Sequence, residues 1–227
     1  MEPALIDVAS NLRAVQRRVA LACRRVDRRP ESVRLLAVSK LHSANSIHEA
    51  YGLGQRDFGE NYAQELRDKA TQLRELAEIR WHAIGPLQLN KAKYVAKMAY
   101  AFHALDRVAL AEELSRRRAG PPLLCYLELN LGGELSKSGI QASQLSAVLE
   151  QISPLPNLKL AGLMCLPPLS PDPESSRPFF RALRELALQH GLKELSMGST
   201  HDFEVAIEEG ATVIRVGSAI FGERPGA

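Results

Sequence analysis

A lysine stands directly after the first apolar run of the chain, where its amine could take part in covalent chemistry. The run is Val33–Ser39 and the lysine is Lys40. An amine in a partly desolvated pocket near another cation has a lowered pKa, and it can attack an aldehyde to form a Schiff base. A lysine that leaves a strand can equally extend its ammonium group into water. Lys40 is therefore a candidate nucleophile whose role depends on its neighbours.

A second candidate is the segment Ser196–Asp202, which is made of small and hydroxylated residues. Gly198 would let a ligand approach the backbone, and Ser196, Ser199 and Thr200 carry hydroxyl groups. The N-terminus of the helix that follows would favour an anion. The same segment suits a capping loop in which Thr200 caps that helix. Both interpretations remain open at this point.

A third candidate is Arg215–Gly222, where the last apolar run enters a glycine turn at Gly217 and Ser218. Arg215 is a charge within an apolar strand, so it either points inward and needs a polar partner or points outward into a salt bridge. Barrel enzymes often bind phosphate between the loops after their seventh and eighth strands. Together, the second and third candidates predict a phosphorylated ligand.

The positions of these residues depend on a regular alternation of strands and helices. The predicted strands are Val33–Ser39, Arg56–Gly59, Trp81–Ile84, Ala101–Leu105, Leu123–Leu129, Leu158–Cys165, Glu194–Ser196 and Thr212–Val216. The predicted helices are Ile6–Val26, Ser46–Leu53, Glu60–Glu78, Leu89–Met98, Arg107–Arg118, Gln141–Ile152, Pro178–His190 and Asp202–Glu209, with a short final helix after Gly217. This pattern predicts an α/β fold, a single TIM-type (β/α)8 barrel.

An open doubly wound sheet is the alternative fold. The dinucleotide pattern G-x-G-x-x-G does not follow the first strand, because Gly52 and Gly54 lie in a turn between helix and strand. We expect one domain over 1–227, with a helix in 1–30 packed on the barrel. The proline-rich segment 167–173 is interpreted as a loop at the rim.

In such a barrel, ligand chemistry lies at the carboxyl ends of the strands. The residues delivered there are Lys40, Glu60, Asn61, Gly85, Pro86, Asp106, Asn130, Met164, Gly198, Gly217 and Ser218. They define the mouth at which we expect the site.

Composition excludes several classes of protein. The 227 residues are 45% hydrophobic and 24% charged, which is typical of a globular protein. The net charge of +3 gives no indication of nucleic-acid binding, and no apolar run is long enough for a membrane span. The arginines at 13–29 are interpreted as a solvated helix face. We expect no signal peptide from Met1–Ala4, and the odd number of cysteines predicts buried free thiols in the cytoplasm.

Known chemical motifs narrow the function further. The six histidines show no metal-ligand spacing, so we expect no metal site. The sequence contains neither a G-x-S-x-G elbow nor a P-loop.

Five motifs resemble those of the pyridoxal phosphate homeostasis proteins, the alanine-racemase-like proteins that bind pyridoxal 5′-phosphate (PLP). They are Ala37–Lys40, Phe58–Tyr62, Ile84–Lys91, Lys137–Gly139 and Leu195–Gly222, in the same order as in that family. Two positions depart from the family pattern: Ser199 replaces a methionine, and Leu89 stands where a serine is common.

The resemblance implies a barrel like the first domain of alanine racemase, with PLP as its cofactor. PLP would form a Schiff base with Lys40. Thr200, Gly217 and Ser218 would hold its phosphate, and Gly198 would allow close approach. Arg215 would lie near the pyridine nitrogen, where it would disfavour a protonated ring. Asn61 would lie beside the cofactor, and Ser196 is included among the binding residues.

Two functions are compatible with such a site. An amino-acid racemase needs acid/base groups on both faces of the substrate carbon, and in alanine racemase one of them comes from a second domain. The eighth strand ends at Val216 and the sequence at Ala227, so we expect no such domain here. We therefore predict a monomeric, non-catalytic PLP carrier for vitamin B6 homeostasis. PLP-dependent apo-enzymes are candidate recipients of its cofactor.

Overall fold

A computed structural model of the chain describes residues 7–134 and 137–223. Its strands form a closed parallel barrel in sequence order, since β1 pairs with both β2 and β8. They are β1 (Arg34–Val38), β2 (Asp57–Glu60), β3 (Arg80–Ala83), β4 (Ala101–Leu105), β5 (Leu123–Leu129), β6 (Leu158–Cys165), β7 (Glu194–Ser199) and β8 (Val213–Val216). The predicted (β/α)8 barrel is confirmed, and the open sheet is excluded.

Helices connect the strands and cover the barrel. They are α1 (Val8–Arg25), α2 (Ala44–Gly52), α3 (Ala63–Gln72), α4 (Ala92–Met98), α5 (Val108–Arg117), α6 (Leu145–Ile152), α7 (Arg177–Gln189), α8 (Phe203–Glu208) and α9 (Ser218–Phe221). Short 3₁₀ turns precede α4 and α6, so the predicted helices from Leu89 and from Gln141 each begin with a tighter turn. None of the helices formed by the described residues could cross a membrane.

The first helix shows how sequence spacing determines packing. Val8, Leu12, Val15 and Val19 recur at helical intervals and are buried, and the helix packs against α8, α9 and α2. Asp7 caps the helix by accepting a hydrogen bond from the Ser10 backbone N–H at 2.8 Å. The start of the predicted helix, Ile6, lies outside the described residues, as do Met1–Ala4 and Ala227.

The arginines of this region are partly structural. Arg18 pairs with Glu204 at 2.6 Å, and Arg25 pairs with Glu208 at 3.0 Å. The Arg28 guanidinium donates to the backbone carbonyls of Ile207 and Ala211, at 2.8 Å each. These contacts fasten the N-terminal region to the segment around α8, beside the last two strands. The three cysteines are buried and free, as predicted.

The predicted helix Glu60–Glu78 is wrong at both ends. Glu60 belongs to β2, where it pairs with Ala83 of β3. The helix ends at Gln72, and two turns closed by Leu76 N–H to the Leu73 carbonyl and Ile79 N–H to the Leu76 carbonyl return the chain to the barrel. Helical spacing of apolar residues therefore continues past the end of the helix, because these turns still pack on the barrel.

The seventh strand is longer than predicted. It continues through Ser199, which pairs with Arg215, and the register shifts between Ser196 and Ser199. Gly198 adopts a φ of 90°, which a residue with a side chain rarely does. This irregularity explains why small residues that resemble a loop belong to a strand.

Candidate ligand-binding site

A cavity of about 420 Å³ opens at the carboxyl ends of the strands. It lies where barrel proteins bind ligands, and its volume is within the range of small-molecule sites. Six of the predicted site residues line it: Lys40, Asn61, Thr200, Arg215, Gly217 and Ser218. The fold therefore brings together residues from both ends of the sequence, and only Ser196 and Gly198 of the predicted set are not among its lining residues.

Arg215 points into the barrel and is 7% exposed. Its guanidinium donates hydrogen bonds to Ser196 Oγ at 2.7 Å and to the Cys165 carbonyl at 3.0 Å. Burial lowers the pKa of Arg215, although a guanidinium keeps its charge in proteins. The inward orientation therefore places a fixed positive charge at the base of the cavity. Ser196 is fully buried, and the hydrogen bond that it accepts helps to fix the orientation of Arg215.

Ser196 is one link in a chain of buried polar side chains. Its Oγ lies 2.8 Å from His103 Nδ1, His103 Nε2 lies 2.9 Å from His82 Nδ1, and His82 Nε2 lies 3.0 Å from Asp57 Oδ1. A carboxylate only accepts, so a neutral His82 donates to Asp57 from Nε2 and accepts at Nδ1 from His103 Nε2. The Nδ1 atom of His103 is then an acceptor, so the Ser196 hydroxyl donates to it while accepting from the Arg215 guanidinium, which only donates. Each histidine then carries its proton on Nε2. The chain runs in one direction, from Arg215 to the Asp57 carboxylate.

The two histidines of this chain are neutral. Burial lowers the pKa of His82, and burial lowers that of His103 well below its usual value. The imidazole of His103 also stacks on Tyr126, with ring centroids 4.2 Å apart. Asp57 is held ionised by His82 and Arg80, and these hydrogen bonds outweigh burial and lower its pKa.

Hydroxyl groups lie on the side of the cavity formed by β7 and β8. Thr200 Oγ1 accepts a hydrogen bond from the Gly217 backbone N–H at 3.2 Å, which ties the two loops together. Ser218 is exposed at the start of α9. The alternative role of Thr200 as the helix cap is wrong, because Asp202 occupies the cap position of α8. Asp202 also accepts from the Ser199 N–H and hydroxyl, at 2.7 and 2.9 Å.

Two glycines permit close packing around the cavity. A Cβ atom on Gly198 would lie 2.5 Å from the Ala206 Cβ, so the glycine accommodates α8 against β7. The resemblance assigned Gly198 to ligand approach, and the helix contact is a different physical reason for a glycine there. At Gly85 a Cβ atom would overlap the backbone oxygen of Asn61. Gly85 therefore lets the ends of β2 and β3 meet and places Asn61 at the cavity.

Sequence reasoning missed several residues of the site. His42 and Leu166 also line the cavity, and only their positions after strands could have indicated them. His201 and Ile84 line it too, and they belong to the candidate segment Ser196–Asp202 and the motif Ile84–Lys91. Glu128 of β5 is a buried carboxylate whose pKa burial and the charge of Asp106 raise to about 7. A charge within an apolar strand was the signal that identified Arg215, and Glu128 carries the same signal. Within the described residues, no group of three His, Cys, Asp or Glu side chains could hold a metal ion.

Barrel and cavity together define the class of the protein, a relative of the alanine racemase barrel. The family model for the N-terminal domain of alanine racemase matches residues 10–225. A solved alanine racemase from Corynebacterium glutamicum superposes with a TM-score of 0.63 at 19% identity, over 94% of this chain but 61% of the racemase. At that identity the likeness concerns the fold alone.

More similar proteins match over nearly their whole length. The pyridoxal phosphate homeostasis protein of Pseudomonas aeruginosa is 44% identical, over 96% of each chain. PipY of Synechococcus elongatus, solved with PLP bound, is 37% identical with a TM-score of 0.83, over 95% of this chain and all of its own. The chain belongs to the pyridoxal phosphate homeostasis protein family, and the resemblance seen in its motifs is confirmed.

Proposed function

We propose that this protein binds PLP at the mouth of its barrel, covalently through Lys40, and that it serves vitamin B6 homeostasis by holding and releasing the cofactor. The observation that carries the proposal is the common cavity, in which Lys40, Arg215, Thr200 and Ser218 meet. An amine, a fixed cation and hydroxyl groups around one space match an aldehyde, a pyridine nitrogen and a phosphate.

The donor set fits the cofactor at each of its polar groups. PLP supplies an aldehyde that combines reversibly with amines. Lys40 is half-buried and lies two residues after the end of β1, and its side chain lines the cavity. Thr200 and Ser218 offer hydroxyl donors to a phosphate on the side of the cavity formed by β7 and β8. Arg215, held by Ser196, would face the ring nitrogen and disfavour its protonation, since like charges repel.

The relatives support this function. The Pseudomonas aeruginosa protein carries the homeostasis name, and PipY was solved with PLP bound. We propose that the chain binds PLP without catalysing amino-acid racemisation, because the relatives that it matches over nearly their full length carry the homeostasis name and not that of a racemase. Racemisation at about one turnover per second or faster, which is typical of enzymes, would contradict this part of the proposal.

Cellular context is part of the same proposal. Three buried free thiols are typical of a reducing compartment, so we place the protein in the cytoplasm. We propose that it acts as a monomer, and that PLP-dependent apo-enzymes are the recipients of its cofactor.

Spectroscopy and chemical trapping test the proposal. Purified protein incubated with PLP should absorb in the visible range, and borohydride should then fix the cofactor to the peptide that contains Lys40. The Lys40→Ala variant should lose both the band and the label, while Lys97→Ala, which removes an exposed lysine of α4, should keep both. A label on another lysine would overturn the assignment of Lys40, and wild-type protein that stays colourless with PLP would overturn the function.

A further inference from the structure

We propose that a largely buried cluster of Glu60, Lys69 and the half-buried Glu65 positions Lys40 for its reaction with the aldehyde. These are positioning residues, because they act on the backbone on either side of Lys40. The inference rests on the proposed function and identifies the part of the protein that keeps the reactive amine in place.

Lys40 lies in a tight turn that is strained. The turn spans Ser39–His42 and is closed by a hydrogen bond from the His42 N–H to the Ser39 carbonyl at 3.0 Å. Leu41 adopts a φ of 63°, the left-handed region in which a side chain is disfavoured. Such a conformation persists only where the surroundings hold it, and it occurs preferentially at functional sites.

The cluster forms hydrogen bonds to the turn on both sides of Lys40. Before Lys40, the Ser39 hydroxyl donates to Glu60 Oε1 at 2.6 Å, and its carbonyl accepts from the Lys69 ammonium at 2.7 Å. After Lys40, the Leu41 N–H donates to Glu65 Oε1 at 2.7 Å. Side chains from β2 and α3 therefore fix the residues before and after the reactive lysine, including the strained one.

Lys69 joins the two carboxylates into one unit. Its ammonium lies 2.8 Å from Oε1 of Glu60 and 2.8 Å from Oε1 of Glu65. Glu60 is fully buried and Lys69 is 7% exposed, so the charges interact with little screening by water. Burial raises the pKa of Glu60, and the adjacent ammonium opposes that rise.

Packing alone gives little reason for such a cluster. Buried ion pairs are often no more stabilising than apolar residues of similar volume. The second carboxylate oxygens of Glu60 and Glu65 are also buried, and neither finds a hydrogen-bond partner in the part of the chain that the structure describes. An arrangement with this desolvation cost is better explained by what it holds, which is the turn that carries Lys40.

Positioning matters for the covalent step. The amine nitrogen of Lys40 forms a bond to the aldehyde carbon, and the carbonyl oxygen leaves as water with the two protons of the neutral amine. Geometry determines how readily two bound groups react, and small displacements are costly. Loosening the turn should therefore weaken the covalent part of binding and spare the contacts to phosphate and ring.

Two ligands separate these contributions. PLP carries the aldehyde, whereas pyridoxine 5′-phosphate has an alcohol in its place and cannot bond to the amine. We would measure the Kd of both for wild-type protein, Glu65→Ala and the matched control Glu65→Gln. Glu65→Ala removes the acceptor of the Leu41 N–H, while the glutamine keeps an amide oxygen that can accept the same bond.

We expect Glu65→Ala to raise the Kd for PLP about tenfold, the effect of losing one charge-assisted hydrogen bond. The Kd for pyridoxine 5′-phosphate should change less than about twofold, and Glu65→Gln should restore most of the PLP affinity. Equal weakening of both ligands, no weakening of either, or no difference between the two variants would overturn the positioning role. A wild-type protein that binds both ligands equally would instead overturn the covalent function itself.

Lys69→Met provides a second measurement on the same turn. It removes the ammonium from the Ser39 carbonyl, and Lys97→Met serves as its exposed control. The same selective loss of PLP affinity is expected, with thermal unfolding followed in parallel to establish that the variant is folded at the assay temperature. If a folded Lys69→Met protein retains wild-type affinity for PLP, the cluster does not position Lys40.

Discussion

Arg215 and Ser196 face each other across the β7–β8 pair, with the guanidinium Nη1 2.7 Å from the serine Oγ. Their contact links the cavity to the chain of polar groups that ends at Asp57. Ser196 accepts from Arg215, and it donates to His103, whose own Nε2 proton is directed along the chain towards the Asp57 carboxylate. One hydroxyl group therefore contacts both the cation of the cavity and the buried histidine pair.

Replacing that hydroxyl should disturb both ends of the contact. Ser196→Ala removes an acceptor from the buried guanidinium and a donor from His103, and each lost partner costs about 1–3 kcal/mol of unfolding free energy. We expect reduced stability in chemical denaturation and a weaker affinity for PLP, because Arg215 is no longer held. Ser115→Ala, which changes a buried serine of α5, is the control. A Ser196→Ala protein with unchanged stability and affinity would contradict the role of this contact.

The histidine pair predicts an acid-sensitive contribution to stability. The pKa of His103 is lowered in the folded state, so its stabilising contribution is complete above the unfolded-state value, 6.5, and is lost as the pH falls below it. His103→Gln should therefore destabilise the protein most at neutral pH. The difference in unfolding free energy between wild type and variant should shrink towards about pH 5.

Denaturant unfolding at several pH values would measure that difference. His48→Gln, at an exposed position of α2, should leave the pH dependence of unfolding unchanged. A gap between wild type and His103→Gln that stays constant from about pH 5 to about pH 8 would contradict the neutral, buried state of the pair.

Glu128 predicts the opposite pH dependence. Its folded-state pKa is raised to about 7 from 4.5, so protonation stabilises the fold, and this stabilisation is lost as the pH rises from 4.5 to about 7. Glu128→Gln resembles the protonated acid. It should be more stable than wild type by up to about 3 kcal/mol at alkaline pH and nearly equal to it in acid.

Unfolding experiments with an exposed control would check this effect. Glu150→Gln, at the surface of α6, should show no such pH-dependent gain. If Glu128→Gln were less stable than wild type at alkaline pH, the carboxylate would be forming a favourable interaction with Arg215 that outweighs its burial.

Much of the fold could be predicted because the strands are buried on both faces. β4, β5 and β6 begin and end where their apolar runs do. Burial along nearly the whole of β4 and β5, and along the second half of β6, selects apolar residues there. Prediction failed where the backbone conformation determines how far a strand extends. The extension of β7 through Gly198 depends on a positive φ and on pairing with β8, and neither is visible in a run of small residues.

Some residues of the site could likewise be predicted from the sequence, and others could not. Lys40 and Arg215 were recognisable because each is a charge at or within a buried strand. The support behind them was not, since Ser196 and His103 are 93 residues apart and meet only because the barrel closes. Lys69 likewise has the sequence context of an ordinary helix surface residue, and only the packing of α3 against β2 buries its ammonium.

If the hydroxyl groups of Thr200 and Ser218 bind the phosphate, their removal should weaken the binding of a ligand that carries a phosphate and spare one that does not. Changing Thr200 and Ser218 together to alanine should weaken PLP binding by about tenfold to a hundredfold, since one or two hydrogen bonds to a charged group are lost. Pyridoxal, which keeps the aldehyde and has no phosphate, should bind the variant and the wild type alike. Because Thr200 also accepts from the Gly217 N–H, thermal unfolding of the variant should be measured alongside affinity. The control is Ser32→Ala, in the turn before β1, which removes an unrelated hydroxyl group and should leave both affinities unchanged. If affinity for pyridoxal fell as much as affinity for PLP, the two hydroxyls would be supporting the loops and not binding the phosphate.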